Sequence, residues 1–123
     1  FYLQKFENLK TKSGKNWQDF RILVSKNKVI ASMIRKNNKK ITNIGQGGKP
    51  FNFKINKKIQ NISIAASKLV DADYAGIDLI QNKYGNFQVI EINSIPAWKA
   101  IQNITKKNIA SILAKTFIKK LKK

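Results

Sequence analysis

The chain has 123 residues, enough for one domain with its own core. Without cysteine or histidine it cannot form a disulfide, a thiolate site or an imidazole site, so any metal must be held by oxygen. A net charge of +19 attracts anions, but only Arg21 and Arg35 among its 25 cations are arginine, the residue that nucleic-acid readers favour. The scattered lysines therefore read first as compositional drift towards lysine, asparagine and isoleucine. A basic module on RNA or the ribosome is the alternative. No apolar run approaches the roughly 18 residues of a membrane span and no signal-peptide pattern opens the chain, so no membrane partner is expected and a cytoplasmic address is the default.

In chain order, residues 1–6 read as a short strand that begins in mid-pattern at Phe1, as in a fragment of something longer. Residues 7–18 are polar and read as a loop. Strands are expected over residues 19–24 and 29–35, joined by a turn at 25–28. A two-residue loop there sets Asp19 opposite Ile34, and a three-residue loop sets it opposite Arg35. Taken alone, Asp19, Arg21 and Arg35 read equally well as a surface salt-bridge cluster. After a polar turn comes Asn43-Ile44-Gly45-Gln46-Gly47-Gly48, whose glycines suit close backbone approach to an anion but lack the spacing of a phosphate-binding loop. From Asn56, a good cap, to Val70 the positions Ile59, Ile62, Ala65, Ala66 and Leu69 follow helical spacing. Asp71 and Asp73 read as turn or surface residues.

The central feature is a hairpin of residues 75–80 and 89–93. Glu91 and Asn93 share one face of their strand, with Ile90 and Ile92 on the other. An even loop (Tyr84-Gly85, or residues 83–86) places Asp78 directly across from Glu91, with Cβ atoms roughly 4.5–5.5 Å apart. Two carboxylates that close call for a cation between them. In a chain with only six acidic residues, such a meeting is informative. Pro96 then ends the strand, Trp98 reads as core, and Thr105 or Asn108 can cap a last helix with a stripe of Ile109, Ile112, Leu113, Phe117 and Leu121. The order of elements gives an α+β fold, a largely antiparallel sheet covered by helices on one face.

Gly76-Ile77-Asp78-Leu79-Ile80, Glu91-Ile92-Asn93-Ser94-Ile95-Pro96 and Asn108-Ile109-Ala110 resemble the C-terminal half of the ATP-grasp fold. Asp19-Phe20-Arg21, the strand ending at Arg35, Asn43 and Gly47-Gly48 narrow the resemblance to the RimK-like amino-acid ligases, over nearly the whole chain. The resemblance implies that residues 1–123 are the C-terminal part of an ATP-grasp domain. The N-terminal domain and the first ATP-grasp half would lie elsewhere in the same enzyme, as a partner to this part.

It further implies an ATP-dependent ligase that activates a carboxylate as an acyl phosphate and joins it to an amine, with glutamate as the expected amino-acid substrate. The acceptor would be a protein, such as the C-terminus of a ribosomal protein, or a small molecule; a carrier-protein or pterin-cofactor route is a further version of the same chemistry. Asp78, Glu91 and Asn93 would hold Mg²⁺ or Mn²⁺, with Glu91 bridging two ions. Asp19 and Asn43 would contact ATP, and Lys5-Phe6 would stand at the hinge that bonds adenine. Arg21 and Arg35 would be catalytic, steering the substrate carboxylate or its acyl phosphate. Such chemistry relies on positioning and charge neutralisation, which a chain without histidine or cysteine can supply. The chain departs from the family in having Lys5 where glutamate is common, Ala97 where glycine is common, and a long polar insert before Asp19. Alone, it would bind nucleotide weakly and not turn over.

Overall fold

A computed structural model of the chain describes residues 16–123. The strand expected over residues 1–6, and with it Lys5 and Phe6, lies outside them. The described residues form five strands, β1 (Trp17–Ser25), β2 (Lys28–Asn37), β3 (Lys49–Phe51), β4 (Tyr74–Gln81) and β5 (Phe87–Asn93), and three α-helices, α1 (Lys57–Leu69), α2 (Lys99–Gln102) and α3 (Ile109–Leu121). The strands make one sheet in the order β3-β2-β1-β4-β5, and each neighbouring pair is antiparallel. Central β1 is covered on both sides, so Ile22, Leu23 and Val24 are all fully buried in succession. Edge strand β3 carries Pro50, whose missing N–H is tolerated at a sheet edge.

The helices occupy both faces of the sheet, not one. Ile59 and Ala66 of α1 pack with Phe20, Ile22, Val24, Ile77 and Leu79. The opposite face, carrying Leu23, Ala31 and Met33, packs with Ile101 of α2 and Ile109 of α3. A strand that alternates apolar residues on both sides needs cover on both, and β1 is such a strand.

The helix ends are capped as the sequence suggests. The Asn56 and Asn108 side chains accept from the Ile59 and Ser111 amides at 2.9 Å each. Within α1, however, the buried stripe is Ile59, Ser63, Ala66 and Ser67, while Ala65 and Leu69 face outward. Small serines let the helix approach the sheet closely where larger side chains would hold it off. In α3, Ile109, Ile112 and Leu113 pack on the core, whereas Phe117 and Leu121 are exposed. Trp98 packs at the rim of the core beneath α2, as expected, and Asp71 and Asp73 lie at the surface, where Asp73 pairs with Lys120.

Both hairpins reach their register through a bulge. The β1–β2 turn is the two-residue Lys26-Asn27, each with positive φ, and Ser25 faces Lys28. Between Leu23 and Val24 the register slips by one, so Asp19 comes to face Arg35, not Ile34. The β4–β5 loop is five residues long, not even, because Gln81 faces Phe87. A shift between Asp78 and Leu79 restores the pairing of Asp78 with Glu91. Ile90 is the extra residue. It is therefore exposed, and Val89, not Ile90, joins Ile92 against the core.

Candidate functional site

Directly paired residues share a face of a sheet, and so do residues two apart on one strand. Asp19 and Arg21 of β1, Met33 and Arg35 of β2, Asp78 of β4, and Glu91 and Asn93 of β5 therefore share one face. Arg21 faces Met33 on one side and Asp78 on the other.

Four of the charged members, Asp19, Arg35, Asp78 and Arg21, are joined into a chain of ion pairs. Arg35 donates to Asp19 Oδ1 at 2.8 Å and Oδ2 at 2.5 Å, and its Nη2 also donates to Asp78 Oδ2 at 3.1 Å. Arg21 grips Asp78 in a two-point fork of 2.6 and 2.8 Å. Asp19, Arg35 and Asp78 are each at most 5% exposed. This is not the surface cluster that the sequence admitted. Burial pushes the Asp78 carboxyl up, but the hydrogen bonds and charges of Arg21 and Arg35 outweigh it and hold Asp78 below the ordinary carboxylate range. Burial likewise pulls the Arg35 guanidinium down, and Asp19 and then Asp78 more than restore it, so it ends above its usual value.

Asp78's demand for positive charge is thus met from within the sheet, by arginines on β1 and β2. Glu91 differs: it is exposed and makes no hydrogen bond or ion pair among the described residues. Among the described residues two arginines balance two aspartates, and Glu91 leaves this set with one net negative charge. Asn93 Oδ1 accepts from the Ile95 amide at 2.9 Å, which shapes the turn into Pro96 and leaves that oxygen a second lone pair. Asp78 offers about four lone-pair positions and uses three.

Unspent oxygen on Asp78, Glu91 and Asn93 is a hard donor set. It fits Mg²⁺, which takes one or two carboxylates and completes its octahedron with water or phosphate. It does not amount to a cage, and no group of three or more acidic side chains suited to a metal exists among the described residues.

The glycine loop stands at the far end of β2. The Asn37 side chain organises it by donating to the carbonyls of Ile41 at 2.7 Å and Gln46 at 3.2 Å. Gly47 has φ of 92°, and a Cβ on Gly48 would lie 1.9 Å from the Thr42 carbonyl oxygen, so both positions require glycine. The Asn43 side chain is exposed and, among the described residues, caps nothing and makes no hydrogen bond to the acidic face. Its neighbour Ile44 lines a cavity of about 440 Å³ together with Arg21, Met33, Arg35, Lys99 and Asn103.

The segment that closes this cavity is held in place from several sides. A Cβ on Gly76 would meet Pro96 Cβ at 2.7 Å, so this glycine admits the proline turn against β4. The Tyr74 hydroxyl donates to the Pro96 carbonyl at 3.2 Å; burial raises its ionisation to about 12 against the opposing charge of Arg21. Lys99, Asn103 and the organising Asn37 escaped notice in the sequence. For Asn37 the polar run that follows it was a signal, but for Lys99 only the docking of α2 above β2 provides one.

The fold is that of ATP-grasp ligases. The chain superposes on the ligase PsnB complexed with minimal precursor, Mg and ADP, with a TM-score of 0.70 at 21% identity over 86% of this chain and 32% of that one. It also superposes on the macrocyclase MdnC bound with precursor peptide MdnA from Microcystis aeruginosa, with a TM-score of 0.57 at 15% identity over 82% of this chain and 32% of that one. Residues 3–117 match the model of the RimK-like ATP-grasp domain, and the chain belongs to that family. It is 35% identical over 112 residues to the tetrahydromethanopterin:alpha-L-glutamate ligase of Methanococcus maripaludis, covering 91% of this chain and 37% of that protein. It is 39% identical over 105 residues to a probable alpha-L-glutamate ligase of Coxiella burnetii, covering 84% and 34%. The chain thus spans little more than a third of the length of these curated relatives. Among the described residues no helix is long and apolar enough to cross a membrane.

Proposed function

We propose that this chain is the C-terminal part of an ATP-grasp domain in an ATP- and Mg²⁺-dependent carboxylate–amine ligase, with Mn²⁺ as an alternative ion and glutamate as the amino-acid substrate. The observation that carries the reading is the shared face: Asp78 and Glu91 are paired across β4–β5, Asn93 lies two residues on, and Arg21 and Arg35 lie beside them. The names of the relatives support the choice of reaction and of glutamate.

In this reading Asp78, Glu91 and Asn93 hold the metal, which when bound supplies positive charge to the nucleotide phosphates. Asp19 fixes Arg35 in place and contacts the nucleotide, as the resemblance implies; Arg35 takes one bond from each of its oxygens and leaves about two lone-pair positions. The two guanidiniums orient an anionic substrate over the sheet. The chemistry is transfer of the ATP γ-phosphoryl group to a carboxylate, then attack by an amine that forms the amide and releases phosphate. Asn43 borders the site through the Ile44 turn, and Lys5 and Phe6 are assigned to the adenine hinge. The remaining wall belongs to the parts of the ligase outside this chain.

Glu91→Gln in the full-length protein is the decisive variant. Glu91 is exposed and unpartnered among the described residues, so the change leaves the buried ion pairs intact. Calorimetric titration with ATP should show Mg²⁺-dependent affinity weakened by roughly tenfold or more, as loss of one charge-assisted ligand predicts. Unchanged metal dependence in both Glu91→Gln and Asp78→Asn would refute the reading.

A further inference from the structure

Lys99 has no part in the reading above, yet it is built into the arginine cavity. Arg21 and Arg35 line that cavity from the sheet, and Lys99 and Asn103 line it from the two ends of α2. No acidic side chain among the described residues lines it. Each arginine commits Nε and Nη2 to the aspartates. Neither Nη1 makes a hydrogen bond among the described residues, and neither is among the fully buried atoms left without a partner, so each keeps a donor and some exposed surface in a residue that lines the cavity. The Lys99 ammonium is exposed and makes no contact of its own among the described residues. Three cations with donors to spare therefore surround one small space whose remaining wall includes the aliphatic Met33 and Ile44.

The lysine sits on a short helix that is tied down. Ile101 is fully buried against Leu23 and Met33. Gln102 donates to the Lys107 carbonyl at 2.8 Å and accepts from the Ile109 amide at 2.9 Å, which fastens α2 to the start of α3. Such fixing lowers the entropy lost when a ligand is gripped.

We propose that Lys99, assisted by Asn103, is the specificity-determining wall of this cavity and selects a small aliphatic dianion. One carboxylate of that ligand meets the Nη1 groups of Arg21 and Arg35, and the second meets the Lys99 ammonium. The proposal rests on the ligase reading for its biological meaning, but its test does not depend on turnover.

The full-length protein is titrated calorimetrically, without nucleotide, with glutarate, butyrate and inorganic phosphate. Glutarate should bind roughly tenfold to a hundredfold tighter than butyrate, the range of one added hydrogen-bonded charge. Lys99→Met should abolish that ratio while leaving butyrate affinity unchanged, and Lys99→Arg should retain most of it. A glutarate-to-butyrate ratio near one in the parent protein overturns the proposal, as does an unchanged ratio in Lys99→Met. Phosphate competing with glutarate on equal terms also overturns it, because the cavity is then a phosphate site. ATP–Mg²⁺ binding by Glu91→Gln is read separately, so a failed ligase assignment leaves the glutarate ratio to be judged by itself.

Discussion

Replacing Arg35 by methionine removes the cation that bridges two buried aspartates. Asp19 then loses both of its hydrogen bonds, of 2.8 and 2.5 Å, and stays buried at 4% exposure. Asp78 loses only the 3.1 Å bond and keeps the two-point grip of Arg21. The cost is therefore dominated by Asp19 and should be that of one broken buried pair, about 3–5 kcal/mol. Against the roughly 5–15 kcal/mol that holds a typical domain together, this is a large fraction. Urea unfolding followed by far-ultraviolet circular dichroism measures it, and a double-mutant cycle with Asp19→Asn isolates the pair. Neutralising Asp19 in the Arg35→Met background should recover about 2 kcal/mol, because an amide is much cheaper to bury than an unpaired carboxylate. If Arg35→Met costs less than about 1 kcal/mol, or the two changes add to within about 0.5 kcal/mol, the buried bridge does not carry the load assigned to it.

The acid limb of stability should report Asp78. Its carboxyl titrates lower in the folded protein than the roughly 3.9 of an unfolded aspartate, so its contribution is complete above that value and is lost as pH falls through the folded one. A stability–pH curve should flatten at its acid end in Asp78→Asn. Gly48→Ala forces a Cβ to within 1.9 Å of the Thr42 carbonyl oxygen, and should lower stability by about 1–3 kcal/mol. Gly45→Ala, with nothing within 4 Å of the added atom, is the matched control, and thermal melts of the two should separate clearly. Asn56→Ala and Asn108→Ala each remove one cap and should cost about 1 kcal/mol in denaturant titration. The two losses should add, because the helices lie on opposite faces of the sheet.

Much of the site was legible in residue types alone. Without histidine or cysteine the candidate ligands had to be carboxylates and amides, and with six acidic residues in the chain there were few to choose from. Strand alternation put Glu91 and Asn93 on one face, turn chemistry suggested two hairpins, and Asn56 and Asn108 announced their helices. Short local signals suffice for these features because the physics behind them, side-chain direction and capping, is local. The three-residue β3 and the four-residue α2 went unseen, because elements that short carry no period to read and are stabilised by what they dock against.

Register and partnership are different in kind. Loop length suggested which residues face each other, but one bulge in each hairpin changed the count. Asp19 meets Arg35 across a two-residue turn, and Asp78 meets Glu91 across a five-residue loop. A bulge reflects how a whole sheet packs, so a single strand does not announce it. Sequence could say that Asp78 and Glu91, so close together, would need a cation. Only the stacking of β2, β1 and β4 side by side decided that Asp78 draws its positive charge from Arg21 and Arg35, leaving Glu91 with its charge unspent. Ion pairs between residues 43 and 57 positions apart in the chain exist only once the sheet has formed.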